Sequence, residues 1–271
     1  MARRWPYPAA VRITFVRHGE SVSNAAGIWQ GHSNSELSEV GVGQAEALAD
    51  RLAGARFDRV VCSDLRRAAH TADILGSAVG RPAVRDPRWR EIHLGRWEGL
   101  SRTQVREQYP AEVAALARGE DIPVGGGERW GDLAIRVRAA FDGLVAAGHP
   151  DEHVLVVVHG GVIVTLFADL LGVLDLRPRR IGKLSNTSLC RVRIRDGAVT
   201  VQAYNDALHV EAQASWREEQ RRGRAVVALQ ARAGGPNHFE PTLRQALHEA
   251  ASVGLPSLDA DPGALSAWAA A

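Results

Sequence analysis

Residues 11–19, Val11-Arg12-Ile13-Thr14-Phe15-Val16-Arg17-His18-Gly19, decide the fold. Val11 to Val16 is a short, largely apolar run, and it ends in Arg-His-Gly, the pattern of a buried strand delivering polar residues at its C-terminal end. The arrangement recurs twice. Val60 to Cys62 runs into Ser63-Asp64-Leu65-Arg66-Arg67, and Val154 to Val158, the strongest strand signal, runs into His159-Gly160-Gly161. In open parallel sheets ligands bind beyond the carboxyl ends of the strands. A lone histidine there is ordinarily a hydrogen-bonded structural residue, but two histidines and an arginine pair at three strand ends point to one site.

Outward from these strands, Leu37 to Leu52 has helical spacing at Val40, Ala45, Leu48 and Leu52. Leu65 to Val79 reads as a second helix, with Ser63 and Asp64 as N-cap candidates. Gly80 to Gly127, rich in Arg, Pro, Trp and Gly, reads as loops with a short helix or two. Trp130, Leu133, Val137, Phe141 and Leu144 share one helical face, which predicts a core-packed helix over 129–147. Another helix runs through Leu171. Leu189 to Ile194 and Val199 to Tyr204 alternate across Asp196-Gly197, a hairpin signal. Strands alternating with helices predict the α/β class, a three-layer α/β/α sandwich with a mostly parallel central sheet. Residues 1–210 read as one domain, with 80–130 as its cap or insert loops. From 211 to 271 the composition turns Ala- and Arg-rich, with 15 alanines in 61 residues, an extension read as helical or partly disordered, with Thr242 as a candidate cap of a short helix.

Composition narrows the function classes. The 271 residues carry 33 Lys+Arg against 31 Asp+Glu, a net +2, and Lys183 is the only lysine. Such an arginine excess fits phosphate recognition and equally a codon bias. Hydrophobic and charged fractions of 45% and 24% are those of a globular protein, not of a disordered or collagenous chain. Cys62 and Cys190 suit buried thiols in a reducing compartment and build no zinc cluster. Arg12 and Arg17 interrupt the N-terminal run, so no signal peptide is expected. His159, Gly160, Gly161, Thr165 and Asp169 break the apolar stretch 154–174, which reads as strand, turn and helix rather than a membrane span. The expected location is cytoplasmic. Arg221-Arg222-Gly223-Arg224 lacks interleaved aromatics, so no nucleic-acid partner is expected. His149 and His153 have metal-ligand spacing but fall on a turn without a third ligand.

Taken in order, several motifs combine. They are Phe15-Val16-Arg17-His18-Gly19-Glu20-Ser21, then Asn24, Gln30-Gly31, Leu37-Ser38 and Gly41-x-x-Gln44-Ala45. Ser63-Asp64-Leu65-Arg66-Arg67-Ala68 with Thr71-Ala72 follows, then Arg90-Glu91-Ile92, Gly95-Arg96-Trp97-Glu98-Gly99, His159-Gly160-Gly161, Asn205-Asp206 and His209. The set, spanning Val11 to Val210, resembles the histidine phosphatase superfamily in the branch shared with cofactor-dependent phosphoglycerate mutases. The resemblance implies a phosphoglycerate mutase-like fold and a phosphatase that hydrolyses a small-molecule phosphomonoester without metal or cofactor.

It also implies roles. His18 is the nucleophile that forms a phosphohistidine, and Arg17 and Arg67 should keep it neutral by lowering its pKa. Arg17, Arg67 and His159 neutralise the oxygens of the transferring phosphoryl group. Asn24, Gln30, Gly31 and Gly160 complete the phosphate site, and Glu91 is the general acid. The Ser-x-Leu-x-Arg spacing selects Arg67 over Arg66, which is expected in solvent. Glu98 is expected to serve the Trp97-Glu98-Gly99 turn, and Gly125-Gly126-Gly127-Glu128 to form a loop near the site rather than a P-loop.

Two alternatives stay open. Mutases of the family carry a tyrosine-bearing segment after the acid and a basic, proline-rich insertion, which Gly95 to Thr103 lacks. A non-catalytic binding module would ordinarily lack one of the residues kept here. No membrane partner is expected, and a homodimer is left open. Trp29, Trp89 and Trp97 are candidates for an apolar or sugar-stacking rim, and Arg85, Arg88 and Arg96 for a second anionic group. His70 and Ser33-Asn34-Ser35 depart from the family pattern and are expected to bear on substrate preference.

Overall fold

A computed structural model of the chain describes residues 10–172, 184–211 and 231–232. Its strands are β1 (Val11–Arg17), β2 (Arg59–Cys62), β3 (Ala83–Arg85), β4 (His153–Val158), β5 (Leu189–Arg195), β6 (Ala198–Asp206) and the two-residue β7 (Ala231–Arg232). Its helices are α1 (Val22–Ala25), α2 (Glu39–Leu52), α3 (Arg66–Ala78), α4 (Arg102–Gln108), α5 (Pro110–Ala117), α6 (Trp130–Ala146), α7 (Gly160–Leu170) and α8 (Leu208–Glu211). One sheet has the order β3-β2-β4-β1-β5-β6-β7. The four strands β3, β2, β4 and β1 are parallel, whereas β5, β6 and β7 join antiparallel.

The period-two geometry of a strand makes the layers. Ile13 and Phe15 of β1 and Val154, Val156 and Val158 of β4 pack with Val137 and Phe141 of α6 and Phe167 of α7. Val16, Leu155 and Val157 point the other way, onto Leu48 and Leu52 of α2 and Leu75 of α3. Successive side chains face opposite layers, so a strand covered on both sides reads as an unbroken apolar run. α2, in the crossover after β1, and α7, after β4, lie on opposite faces. Adjacent strands whose crossovers diverge in this way open a crevice at their carboxyl ends, where Arg17, His18 and His159 stand.

Several local expectations change. Val40 is exposed on α2, and Gly41 takes its place on the buried stripe. A Cβ on Gly41 would collide with the Glu20 carbonyl, so glycine lets the start of α2 touch the loop after β1. Neither Ser63 nor Asp64 caps α3. Its N-cap is Leu65, without a side-chain cap, and Asn34 Oδ1 instead accepts from the Arg66 N–H at 3.2 Å. The 80–127 segment holds α4, α5, three 3-10 turns at 87–89, 95–97 and 124–126, and β3, an edge strand parallel to β2. At three residues β3 is too short to have a pattern. Asp196 and Gly197 both have positive φ, 49° and 75°, as a tight hairpin with right-handed twist requires. The candidate helix at Thr242 lies outside the described residues. No helix among the described residues is long and apolar enough to cross a membrane.

Candidate active site

His18 follows the last residue of β1, and its N–H continues the ladder to the Val158 carbonyl at 2.9 Å. The ring is 3% exposed. Nδ1 lies 2.7 Å from the Gly19 carbonyl, and Nε2 lies 3.3 Å from Arg67 Nε. A carbonyl can only accept and a guanidinium can only donate. The hydrogen is therefore on Nδ1, and Nε2 keeps its lone pair. Burial first, then the Arg67 and Arg17 charges, hold the His18 pKa well below the ordinary imidazole range. The ring is a neutral, buried base with Nε2 turned to the Arg67 guanidinium and the Arg17 charge nearby.

Arg67 projects from the first turn of α3 and is 1% exposed. Its Nη1 and Nη2 donate to the carbonyls of Ser33 and Gly31, each at 2.8 Å. Burial lowers its pKa to about 10, which leaves it charged at neutral pH. Arg17 donates through Nη1 to the Leu184 carbonyl, while its Nε is buried without a hydrogen-bond partner. Burial lowers its pKa, and the Glu91 charge opposes the shift.

His159 is the N-cap residue of α7 and fully buried. Its ring meets that of His18 edge-on with centroids 5.1 Å apart. Nε2 sits 2.8 Å from Ser63 Oγ, which also accepts from the Leu65 N–H at 3.3 Å. With the serine hydroxyl donating to Nε2, the imidazole hydrogen stands on Nδ1, the tautomer assigned to this ring. Burial, followed by Arg67, His18 and Arg17, depresses the His159 pKa well below its ordinary value, so this ring offers a neutral N–H rather than a charge. Nδ1 is buried and unpartnered. Buried donors are costly to leave unpaired, and Arg17 Nε and, in this tautomer, His159 Nδ1 are two such donors. A Cβ on Gly160 would lie 3.5 Å from Arg17 Nε, so the backbone just after His159 passes close to that guanidinium. An oxyanion is the group that satisfies such a set.

Glu91 arrives from the other direction, in the irregular chain between the 87–89 and 95–97 turns. Its Oε2 accepts from the Gly161 N–H of α7 and its Oε1 from the Ile92 N–H, both at 3.0 Å. A Cβ on Gly161 would overlap Glu91 Oε1, so the second glycine of His-Gly-Gly makes room for the carboxylate. Glu98 does more than serve its own turn, because Oε1 accepts from the N–H groups of His32 and Leu94 at 2.9 and 3.1 Å. It ties the 31–32 loop to the chain after Glu91.

The structure thus brings Arg17, His18, Arg67, Glu91, His159 and Gly160 together. Gly31 contributes a carbonyl to Arg67. Asn24 and Gln30 are held by Ser21: Asn24 Oδ1 accepts from the Ser21 N–H at 3.3 Å, and Gln30 Oε1 from the Ser21 hydroxyl at 2.8 Å. The aromatic rim is corrected at Trp89 and Trp97, which are 1% and 4% exposed core residues, whereas Trp29 is half-buried against the same core. The second anion site is corrected as well. Arg85, Arg88 and Arg96 are ion-paired with Asp73, Asp86 and Glu112. His153 is bonded to Thr14 at 2.8 Å, and His70 is exposed. Arg66 is exposed and paired with Glu36.

Sequence reasoning missed four supports. Ser63 orients His159, and Asn186 Nδ2 donates to the His18 carbonyl at 3.0 Å. Thr71 Oγ1 accepts from the Gly19 N–H at 3.1 Å and donates to the Arg67 carbonyl at 2.7 Å. The Leu184 carbonyl holds Arg17. Ser63 and Thr71 stood inside the quoted motif, and their hydroxyls were the available signal.

The family model of the histidine phosphatase superfamily (branch 1) matches residues 13–207. The chain belongs to that family. It is 36% identical over 205 residues to a metal-independent phosphoserine phosphatase of Arabidopsis thaliana, covering 74% of this chain and 83% of that one. It is 39% identical over 188 residues, 66% of this chain and 83% of the other, to the glucosyl-3-phosphoglycerate phosphatase of Mycobacterium tuberculosis. A mycobacterial enzyme of that name, solved in complex with VO3, matches at a TM-score of 0.65 and 34% identity, over 72% of this chain and 98% of that one. A probable phosphoglycerate mutase of Yersinia pestis is 34% identical over 212 residues, 74% of this chain and 95% of the other.

Proposed function

We propose that the protein is a phosphomonoester hydrolase acting through a phosphohistidine on His18. The observation that carries this reading is the unprotonated Nε2 of a buried, neutral His18, set against Arg67, with the His159 ring packed edge-on against it. The Nε2 lone pair attacks phosphorus and the P–O ester bond breaks, while Glu91 gives its proton to the departing oxygen to release an alcohol. Water then attacks the phosphohistidine, Glu91 takes its proton, and the P–N electron pair returns to His18 with release of inorganic phosphate. Arg17 and Arg67 supply the charge that stabilises the phosphoryl oxygens, and His159 supplies a hydrogen bond. These cations do the electrostatic work that a metal performs elsewhere, and the name of the plant relative agrees.

A small-molecule ester is the substrate class, in keeping with the named substrates of the relatives. Two buried free thiols, Cys62 and Cys190, fit the reducing cytoplasm, where we place the enzyme. The test is release of phosphate from an aryl phosphate and from a panel of metabolite phosphomonoesters in the presence of EDTA. Turnover unaffected by chelation is expected. Activity that needs an added metal contradicts the reading, and rapid isomerisation of 3-phosphoglycerate with bisphosphoglycerate, without net phosphate release, replaces it with a mutase.

A further inference from the structure

Glu91 lies on a stretch without regular hydrogen bonding, yet a proton donor has to be aimed to within a fraction of an ångström. Arg136, on α6, meets that need with all five of its N–H donors. Nη1 donates to the carbonyls of Arg88 and Arg90, each at 2.8 Å, and Nη2 to the Glu91 carbonyl at 3.2 Å. The remaining bonds form a two-point pair with Glu128, Nε to Oε1 at 3.0 Å and Nη2 to Oε2 at 2.8 Å. Glu128 in turn accepts from the His93 N–H at 3.2 Å, and its own N–H donates to the His93 carbonyl at 2.8 Å. The pair thereby holds the backbone at 88, 90, 91 and 93, on both sides of the carboxylate. The Glu91 carbonyl is held a second time by His32 Nε2 at 2.8 Å.

The anchor itself is rigid. Val137 and Phe141 of α6 are fully buried beneath the sheet, and the Arg136 and Glu128 side chains are only 23% and 16% exposed, so the pair is poorly screened. A lysine at 136 could not reproduce the fan, because one ammonium cannot span three carbonyls and both oxygens of a carboxylate.

We infer that Arg136 is a positioning residue that transmits the rigidity of α6 to the proton donor and sets the aim of the Glu91 carboxyl group. The inference rests on Glu91 being the general acid. Its signature is dependence on the leaving group. An alkyl ester needs its departing oxygen protonated, whereas 2,4-dinitrophenyl phosphate does not, and kcat/KM reports the steps up to leaving-group departure. The experiment compares both esters, using the alkyl phosphate that the wild-type protein hydrolyses fastest, in Arg136→Met, Arg136→Lys, Glu128→Gln and Glu91→Gln.

The expected result for Arg136→Met is a loss of about 30-fold or more in kcat/KM on the alkyl ester and less than about threefold on the dinitrophenyl ester, within the range that general-acid catalysis supplies. Arg136→Lys and Glu128→Gln should show the same selectivity with smaller losses, and retained dinitrophenyl activity certifies that each variant is folded. Equal losses on both esters in Arg136→Lys and Glu128→Gln, or no loss in Arg136→Met, overturn the positioning role. If Glu91→Gln is selective while the Arg136 variants are not, this inference alone fails. If Glu91→Gln is itself unselective, the general-acid reading fails and takes the inference with it.

Discussion

The two sides of the site are built by different means. Arg17, His18, Arg67 and His159 sit on or beside the ends of regular elements, β1, α3 and the junction of β4 with α7, where ladder hydrogen bonds and core packing fix the backbone before any side chain acts. Glu91 sits among 3-10 turns and glycines, where side chains must replace the ladder: Glu98, His32 and the Arg136–Glu128 pair do so. Phosphoryl transfer needs a fixed set of charges around phosphorus, which the sheet provides. The proposed proton donor has to meet the leaving group, and its support is separate from that of the phosphoryl pocket.

That contrast can be broken at several points. The largest effect is expected for His18→Ala, a loss on the order of 10⁵-fold or more in kcat on every ester, read in a phosphate-release assay at enzyme concentrations high enough to see the residue. Next is Arg67→Met, about 10²–10³-fold in kcat/KM on alkyl and aryl esters alike. This variant also moves the pH profile. His18 must be neutral to attack, and Arg67 is one of the causes that depress its pKa. Removing that charge raises the pKa, so the acid limb of kcat/KM shifts to higher pH; a limb that stays in place or moves down contradicts the pairing.

A smaller effect, confined to the irregular side, is expected for Gly161→Ala, whose methyl group displaces Glu91. It should cost about 10–100-fold on alkyl esters and much less on an activated aryl ester, and a uniform loss would mean that the two sides are not separable. Arg66→Ala sets the floor. Its pair with Glu36 is two-thirds exposed on both sides, so stability by thermal denaturation should change by less than about 1 kcal/mol. Its activity should stay within a factor of about two of wild type, despite the neighbouring Arg67.

The difference in construction also governs what the amino-acid sequence discloses. Period-two burial and polar strand ends make His18, Arg67 and His159 conspicuous, and the layers follow from apolar runs in β1 and β4. The 80–127 segment has no period to read. Trp89 and Trp97 look like a binding rim there because nothing local says that they fill the core under Glu91. Arg136 is invisible for a related reason: its partners are mostly carbonyls, which every residue has, so no residue type marks them. Ser63 reads as a cap because serine is a favoured N-cap residue, whereas its bond to His159 joins two strand ends that only folding brings together. Arg85, Arg88 and Arg96 looked available because their carboxylate partners, at 73, 86 and 112, gain meaning only from the folded geometry.

The phosphohistidine is tested most directly by trapping it. Glu91→Gln protein, which should accept a phosphoryl group from 2,4-dinitrophenyl phosphate but release it slowly to water, is mixed with that ester, quenched in alkali and mapped by peptide mass spectrometry with ³¹P NMR. The expected result is one phosphoryl group on Nε2 of His18, lost on acidification and absent from His18→Ala. No covalent phosphate on His18 while the variant turns over, or the same labelling in His18→Ala, contradicts the mechanism.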